Sequence, residues 1–300
     1  MNWVLITLSA TSLWAVGNYI DKFVIDKHSR GLGGLTIYSG LAGFIISLIL
    51  FLIFAKNPQP MPAREAALTL FSGFLLLLYI LPYFKAMSER EASEVVPLFQ
   101  LIPSIALVLS FFLIGEKIDR GQLLGLLLAM IGSVTISTTR VQGIFRVHSS
   151  LFYMALSSAM FALSIVLFKF IYLQTDFWTT LMYTSAGSLL AALTLSLYPP
   201  YRGQFFQWLR LLPSPVGGVM ILNSTLGRLA QGLFNFATTL APVSLVAAVD
   251  STQPAFVLIY GVFLTLFFPK LIKEDISVGN LFKKAISLAF LFAGVYLVSR

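Results

Sequence analysis

Apolar residues follow one another in ten long blocks, at 3–25, 34–54, 66–87, 92–114, 122–137, 151–172, 178–197, 216–240, 243–268 and 281–298. Most approach the roughly 20 residues that a helix needs to cross a hydrocarbon core. The stretches between them are short and polar, and no soluble domain fits there. The longest, 198–215, carries Trp208, Arg202 and Arg210 and reads as an interfacial segment. The pattern predicts an all-α polytopic membrane protein with ten transmembrane helices.

Within the blocks the polar residues recur at helical spacing, i, i+4, i+7 and i+11. The eighth block carries Ser224, Arg228, Gln231, Asn235 and Thr238. The first carries Thr7, Thr11, Trp14 and Asn18, and the fourth carries Ser93, Pro97, Gln100 and Ser104. Tyr79 and Tyr83 lie in the third block, Asp250 and Gln253 in the ninth. Such stripes cannot face lipid cheaply, so they are expected to face one another or water. The candidate substrate-binding set is Arg228, Asp250, Asn235, Gln231, Gln253, Gln100, Trp14, Asn18, Tyr79 and Tyr83.

Arg228 dominates that set. A charge at the centre of a span costs roughly 2.5–3.5 kcal/mol even on the mildest scale, so something must stabilise it. Asp250 is the other deep charge. Counted from the turn at Ala241 and Pro242, Arg228 lies about five residues deeper, or ~7.5 Å, within reach of a long side chain. Two readings stand side by side. The pair cements two helices, or Arg228 binds an anionic group while Asp250 serves as its resting partner or carries a proton. Lys22 and Lys169, near helix ends, are expected to snorkel to the interface, and Asp21 to pair nearby. Glu94 stands in the first turn of its helix, where the macrodipole favours it. Glu116 sits in a short charged turn and is expected to be solvated or paired with an arginine.

Composition narrows the class. The chain is 58% hydrophobic and 11% charged, too little charge to coat a globule of 300 residues. Its net charge of +8 is carried mostly by short loops, which fits membrane topology and gives no reason to expect nucleic acid as a partner. There is no cysteine, so no disulfide or thiolate metal site. No phosphate-cradling motif, metal-ligand spacing or nucleophile–base set is present, so no cofactor, metal or enzymatic activity is expected.

The chain also repeats itself. Shifted by 151 residues, 86–113 falls on 237–264 without a gap, matching Ala86 with Ala237, Ser93 with Ser244 and Pro103 with Pro254, among others. A shared interior proline fixes a kink at one depth. Residues 14–23 resemble 161–170, Lys22 over Lys169, and 131–137 resemble 293–299. Two units of five helices, at 1–140 and 149–300, must have opposite orientations. Inverted repeats of this kind mark secondary transporters, with the site at their interface.

The tract 88–137, with Ala92, Ser93, Pro103, Gly115–Glu116, Gly125 and Gly132, resembles the end of an EamA-type repeat of the drug/metabolite transporter superfamily. Trp14, Asn18 and Lys22 resemble the marks of that family's first helix. The second repeat departs from the pattern, with FFPKLIKED at 267–275 where the Gly–Glu turn belongs. The resemblance implies ten helices and movement of small metabolites, amino acids or drugs across a membrane, often driven by a proton or solute gradient.

The expectation is therefore a secondary transporter of a small polar or zwitterionic metabolite in the plasma (inner) membrane, working by alternating access. The competing readings are a non-transporting scaffold and an exporter of lipophilic cations. Small residues at 121, 125, 129 and 133, and at 285, 289 and 293, pack helices or form a homodimer face. The loops at 21–33, 85–91, 138–150, 198–215 and 269–280, with Lys283 and Lys284, hold thirteen of the 20 Lys and Arg, which favours both termini outside. The family resemblance implies the reverse.

Overall fold

In the computed structural model the described residues are 2–28, 31–55, 58, 60–90, 92–117, 119–121, 123–125, 127–128, 131, 139–141, 144–146, 149–267 and 278–298. The helices are α1 (Trp3–His28), α2 (Leu32–Phe54), α3 (Ala63–Leu78), α4 (Ile80–Glu89), α5 (Ala92–Val95), α6 (Leu101–Ile114), α7 (Ser149–Tyr172), α8 (Phe177–Ser196), α9 (Pro199–Leu209), α10 (Pro215–Leu240), α11 (Val243–Asp250), α12 (Gln253–Phe267) and α13 (Val278–Val298). A 3₁₀ turn at Val96–Gln100 joins α5 to α6. One departure from an all-helical chain is a small antiparallel hairpin, Thr139–Val141 against Ile144–Arg146.

Among the described residues five helical stretches are long and apolar enough to cross a membrane: Trp3–Asp26, Leu32–Phe54, Ala63–Glu89, Ser149–Tyr172 and Val243–Phe267. Phe177–Ser196 with Pro199–Leu209, bent by 112°, makes a sixth if the pair is one span. The shortfall from ten has physical causes. α10 has the length, 26 residues, but its polar stripe lowers its hydropathy. The block at 92–114 is divided by the 3₁₀ turn. Most of the block at 122–137 lies outside the described residues, as does most of the loop at 269–280.

Two apolar blocks, 92–114 and 243–268, are broken in mid-course. Pro103 lies just beyond the 3₁₀ turn, and Pro254 just beyond the turn at Ser251–Thr252 that separates α11 from α12. A proline lacks the N–H for the helix ladder, so each break falls where the ladder is already interrupted. The segment at 198–215 contains α9, bent by 112° from α8, and its Trp208 is packed inside the protein. It is 1% exposed, and its indole N–H donates to Gly31 O at 2.9 Å.

α1 packs against α10 and α12, α6 against α7, and α3 and α2 against α8. The α3–α8 contact is backbone on backbone. A Cβ at Gly73 would collide with Thr184 O, and one at Gly187 with Leu70 O. Ser188 Oγ closes the contact on Gly73 O at 2.9 Å. Lipid tails give helices little hydrophobic reason to associate, so close approach of this kind, with a hydrogen bond, is what holds them.

Candidate functional site

A cavity of about 150 Å³ opens between α1, α2, α3, α4 and α10, reaching the broken blocks. Its wall follows from the helical spacing of α1. Trp14, Gly17, Asn18 and Asp21 lie on one face of that helix and all line the cavity. Opposite, α10 contributes Asn223, Ser224, Gly227, Arg228 and Gln231. Tyr79 lies at the junction of α3 and α4, and Tyr83 one turn further on, both in the wall. Phe99 comes from the 3₁₀ turn, and Asp250 and Gln253 from the two sides of the break in the ninth block.

Eight of the ten candidate residues thus come together around one space. Asn235 does not. It is 2% exposed and lies beneath Gln231, whose Nε2 donates to its Oδ1 at 2.8 Å. Thr238 in turn donates to Asn235 O at 2.7 Å, so the lower half of the α10 stripe is buried bonding and not cavity wall. The side chain of Gln100 lies outside the described residues.

One end of the space is closed by rings. Trp14 and Phe161 meet edge to face at 6.0 Å, and both lie against Phe234. Beyond them runs an apolar cluster with Ile165, Val166, Ala237 and Val246. Towards the other end Asp21 accepts from Asn223 Nδ2 at 2.7 Å and from the Tyr83 hydroxyl at 3.0 Å. The same hydroxyl is 2.9 Å from Asn18 Oδ1. Asp250, last residue of α11, accepts from Thr11 Oγ1 at 2.7 Å.

Arg228 differs from all of these. No ion pair within 4.0 Å joins it to Asp250 or to any other carboxylate among the described residues. Its guanidinium lies along the backbone of α2 at Gly43, where an added Cβ would stand 2.7 Å from Cζ. The missing side chain at 43 is what gives the group its place. A planar donor with five N–H bonds, facing a cavity without a carboxylate beside it, is suited to a carboxylate or phosphate oxygen pair.

Three expectations are revised. Asp21 lines the cavity; it continues the α1 stripe by another three residues, so the sequence held that signal. Lys22 and Lys169 do not reach for an interface. Lys22 Nζ donates to Met87 O and Arg90 O, each at 2.9 Å, and Lys169 Nζ donates to Ala241 O at 2.8 Å. Glu116 is not a solvated turn residue. It pairs with Lys169 at 3.2 Å, both side chains 12% exposed, and accepts the backbone N–H of Val243 at 3.2 Å. Asn223, Ser39 and Gly43 were not legible as wall residues; a glycine carries no side chain for a periodic pattern to show.

Among the described residues no group of three His, Asp or Glu is placed to hold a metal ion. Residues 1–138 match the EamA-like transporter family. An uncharacterized protein of Methanocaldococcus jannaschii is 26% identical over 134 residues, 45% of this chain and 95% of that protein. A crystal structure of a protein 16% identical to this chain aligns with a TM-score of 0.69, covering 98% of this chain and 95% of the other. At that identity the likeness is one of fold alone.

Proposed function

We propose that this chain, a multi-pass integral membrane protein whose residues 1–138 match the EamA-like transporter family of the drug/metabolite transporter superfamily, is a secondary transporter of a small zwitterionic or anionic metabolite. The observation that carries this is Arg228, whose guanidinium faces a cavity with no carboxylate within 4.0 Å among the described residues. A scaffold has no use for an uncompensated cation there, and the cost of keeping one is high. In this reading Arg228 takes the anionic end of the substrate and Asp250 faces a cationic end. Asn18, Tyr79, Tyr83, Gln231, Gln253 and Trp14 complete the wall. The location is the plasma membrane.

The transport cycle we assign is alternating access of two inverted five-helix repeats, 1–140 and 149–300, making ten spans in all. Several features support it. The breaks in the fourth and ninth blocks fall at one register of the 151-residue offset, with Phe99 and Asp250 at corresponding positions. Lys22 and Lys169 donate to Arg90 O and Ala241 O, carbonyls that are themselves 151 residues apart. The archaeal relative is matched over nearly its whole length by less than half of this chain.

Ligand-dependent thermal stability of the purified protein tests the reading, because a ligand that binds only the folded state raises its melting point. Alanine and propionate are expected to stabilise the wild type. Arg228→Gln is expected to weaken both by at least tenfold, or about 1.4 kcal/mol. Stabilisation by lipophilic cations and not by carboxylates would instead support the drug-exporter reading, and an unchanged response in Arg228→Gln would remove the guanidinium from the site.

A further inference from the structure

One hydroxyl proton serves two acceptors at the mouth of the α1–α10 contact. Tyr83 Oη lies 2.9 Å from Asn18 Oδ1 and 3.0 Å from Asp21 Oδ2, and both are acceptor atoms unless the carboxyl carries a proton. Asn18 is 6% exposed, and its Nδ2 is buried with no hydrogen-bond partner among the described residues. A buried amide donor left unpaired costs about 1–3 kcal/mol. Two arrangements satisfy the shared hydroxyl: a hydrogen on Asp21 Oδ2 donates to Tyr83 Oη and the tyrosine donates to Asn18 Oδ1, which leaves the amide N–H for another acceptor, or the tyrosine donates to an ionised Asp21 and the amide turns over to donate Nδ2 to Tyr83 Oη.

Asn18 and Arg228 lie at one height in the fold. Asn223 meets Asp21 and Phe234 meets Trp14, so α1 and α10 run antiparallel, and Asn18 and Arg228 both fall between those two contacts. Both line the same cavity. We propose that Asp21, Tyr83 and Asn18 form a relay in which a proton on Asp21 sets the Asn18 amide to donate to an anion held by Arg228, so that a proton and an anion are taken up together.

The relay works by counting hydrogens. When Asp21 releases its proton to water, the single Tyr83 hydrogen turns to the carboxylate, the stronger acceptor. Asn18 Oδ1 then faces a lone pair. The amide turns over, donates Nδ2 to Tyr83 Oη and presents its oxygen to the anion position, which repels the anion. The ionised carboxylate also offsets the charge of Arg228. The charged and titratable groups that line the cavity with Asp21 are Arg228 on α10, Tyr79 and Tyr83 at α3–α4 and Asp250 on α11, and the Lys22–Asp26 pair follows it on α1 itself. The proposal rests on the assignment of Arg228 as the anion anchor and adds the proton to it.

The test is propionate binding to the purified wild type in lipid nanodiscs, from about pH 6 to about pH 8.5, where propionate keeps its charge. One coupled proton weakens binding by up to about tenfold per pH unit as pH rises. Asp21→Asn is expected to bind at the low-pH wild-type level throughout. Asn18→Ala is expected to bind more weakly at low pH and to lose most of the pH response. Tyr83→Phe, which keeps the carboxyl but cuts the relay, is expected to reduce the slope and so decides the matter if Asp21→Asn does not fold. A flat wild-type profile overturns the relay, and so does an unchanged slope in Asp21→Asn or Tyr83→Phe. A slope abolished by Asp250→Asn alone assigns the proton elsewhere and overturns it too. If propionate fails to bind at any pH, the Arg228 reading itself falls; binding without a pH response removes the relay only.

Discussion

Two apolar blocks of this molecule break at corresponding points and place opposite chemistry there. In the first half the break is the 3₁₀ turn at Val96–Gln100, and Phe99 faces the cavity. In the second half it is the turn after α11, and Asp250, 151 residues on, faces the same cavity. The backbone device is shared, a break followed by a proline, while the side chain that the break exposes differs. The two lysines repeat the lesson. Lys22 and Lys169 do one job, donating to carbonyls at a helix end, but Lys169 adds a buried partner in Glu116, whereas Lys22 pairs with Asp26, whose side chain is 45% exposed. Shared positions hold the fold, and divergent side chains make the two ends of the molecule unequal.

The largest expected effect breaks that inequality. Lys169→Met leaves the Glu116 carboxylate buried without its cation, a loss of about 3–5 kcal/mol. Lys22→Met leaves two carbonyls and a half-exposed carboxylate, and is expected to cost about 1–3 kcal/mol. Denaturant unfolding of both variants in one detergent measures the difference. Combining Lys169→Met with Glu116→Gln should recover part of the loss, because the orphaned charge is gone. Equal losses in the two single variants would mean that Glu116 contributes nothing and that the ends are equivalent.

A middle-sized effect lies at the breaks themselves. If Asp250 faces the cationic end of a zwitterion, Asp250→Asn should weaken alanine binding by about 2 kcal/mol, or roughly thirtyfold. Propionate, which has no ammonium group, should bind as well or better. Phe99→Leu, at the corresponding break, should not separate the two ligands. Equal weakening of alanine and propionate by Asp250→Asn would leave the carboxylate with a structural role only.

The fold was legible where the chemistry is carried by side chains in series. The blocks at 3–25, 34–54, 66–87 and 151–172 appear as single helical stretches because lipid demands unbroken apolar length. Trp14 and Asn18 of the α1 stripe and the upper half of the α10 stripe, Ser224 to Gln231, line the cavity, whereas Thr7 and Thr11 are buried and donate to Trp3 O and to Asp250. Two kinds of information were hidden. Periodicity says which face a residue occupies but not what lies over it, so the spacing puts Asn235 in the wall when Gln231 covers it. The end of an apolar block looks like an interface, so Asp21, Lys22 and Lys169 look peripheral in the sequence, although neighbouring helices supply hydrogen-bond partners there, for the lysines at the helix ends. The place left by a missing side chain, as at Gly43, shows only in three dimensions.

Gly43 sets the smallest and most discriminating prediction, and it again contrasts the halves. It leaves the space in which the guanidinium rests, while the residue 151 positions on is Thr194, whose hydroxyl donates to Leu190 O within its own helix. Gly43→Ala puts a methyl group 2.7 Å from Arg228 Cζ. The far end of an arginine can move, so the protein should still fold, and replacing glycine within a helix contributes up to about 1 kcal/mol of stability. The displaced guanidinium should nevertheless bind propionate about tenfold more weakly, near 1.4 kcal/mol. Gly232→Ala, on α10 where nothing lies within 4 Å of an added Cβ, is the control. It should gain the stability without losing the affinity. Opposite signs for stability and affinity at 43, with only the first at 232, is a result that loosened packing would not produce. If Gly43→Ala binds propionate as the wild type does, the guanidinium has room elsewhere in the cavity, and the backbone of α2 does not position it.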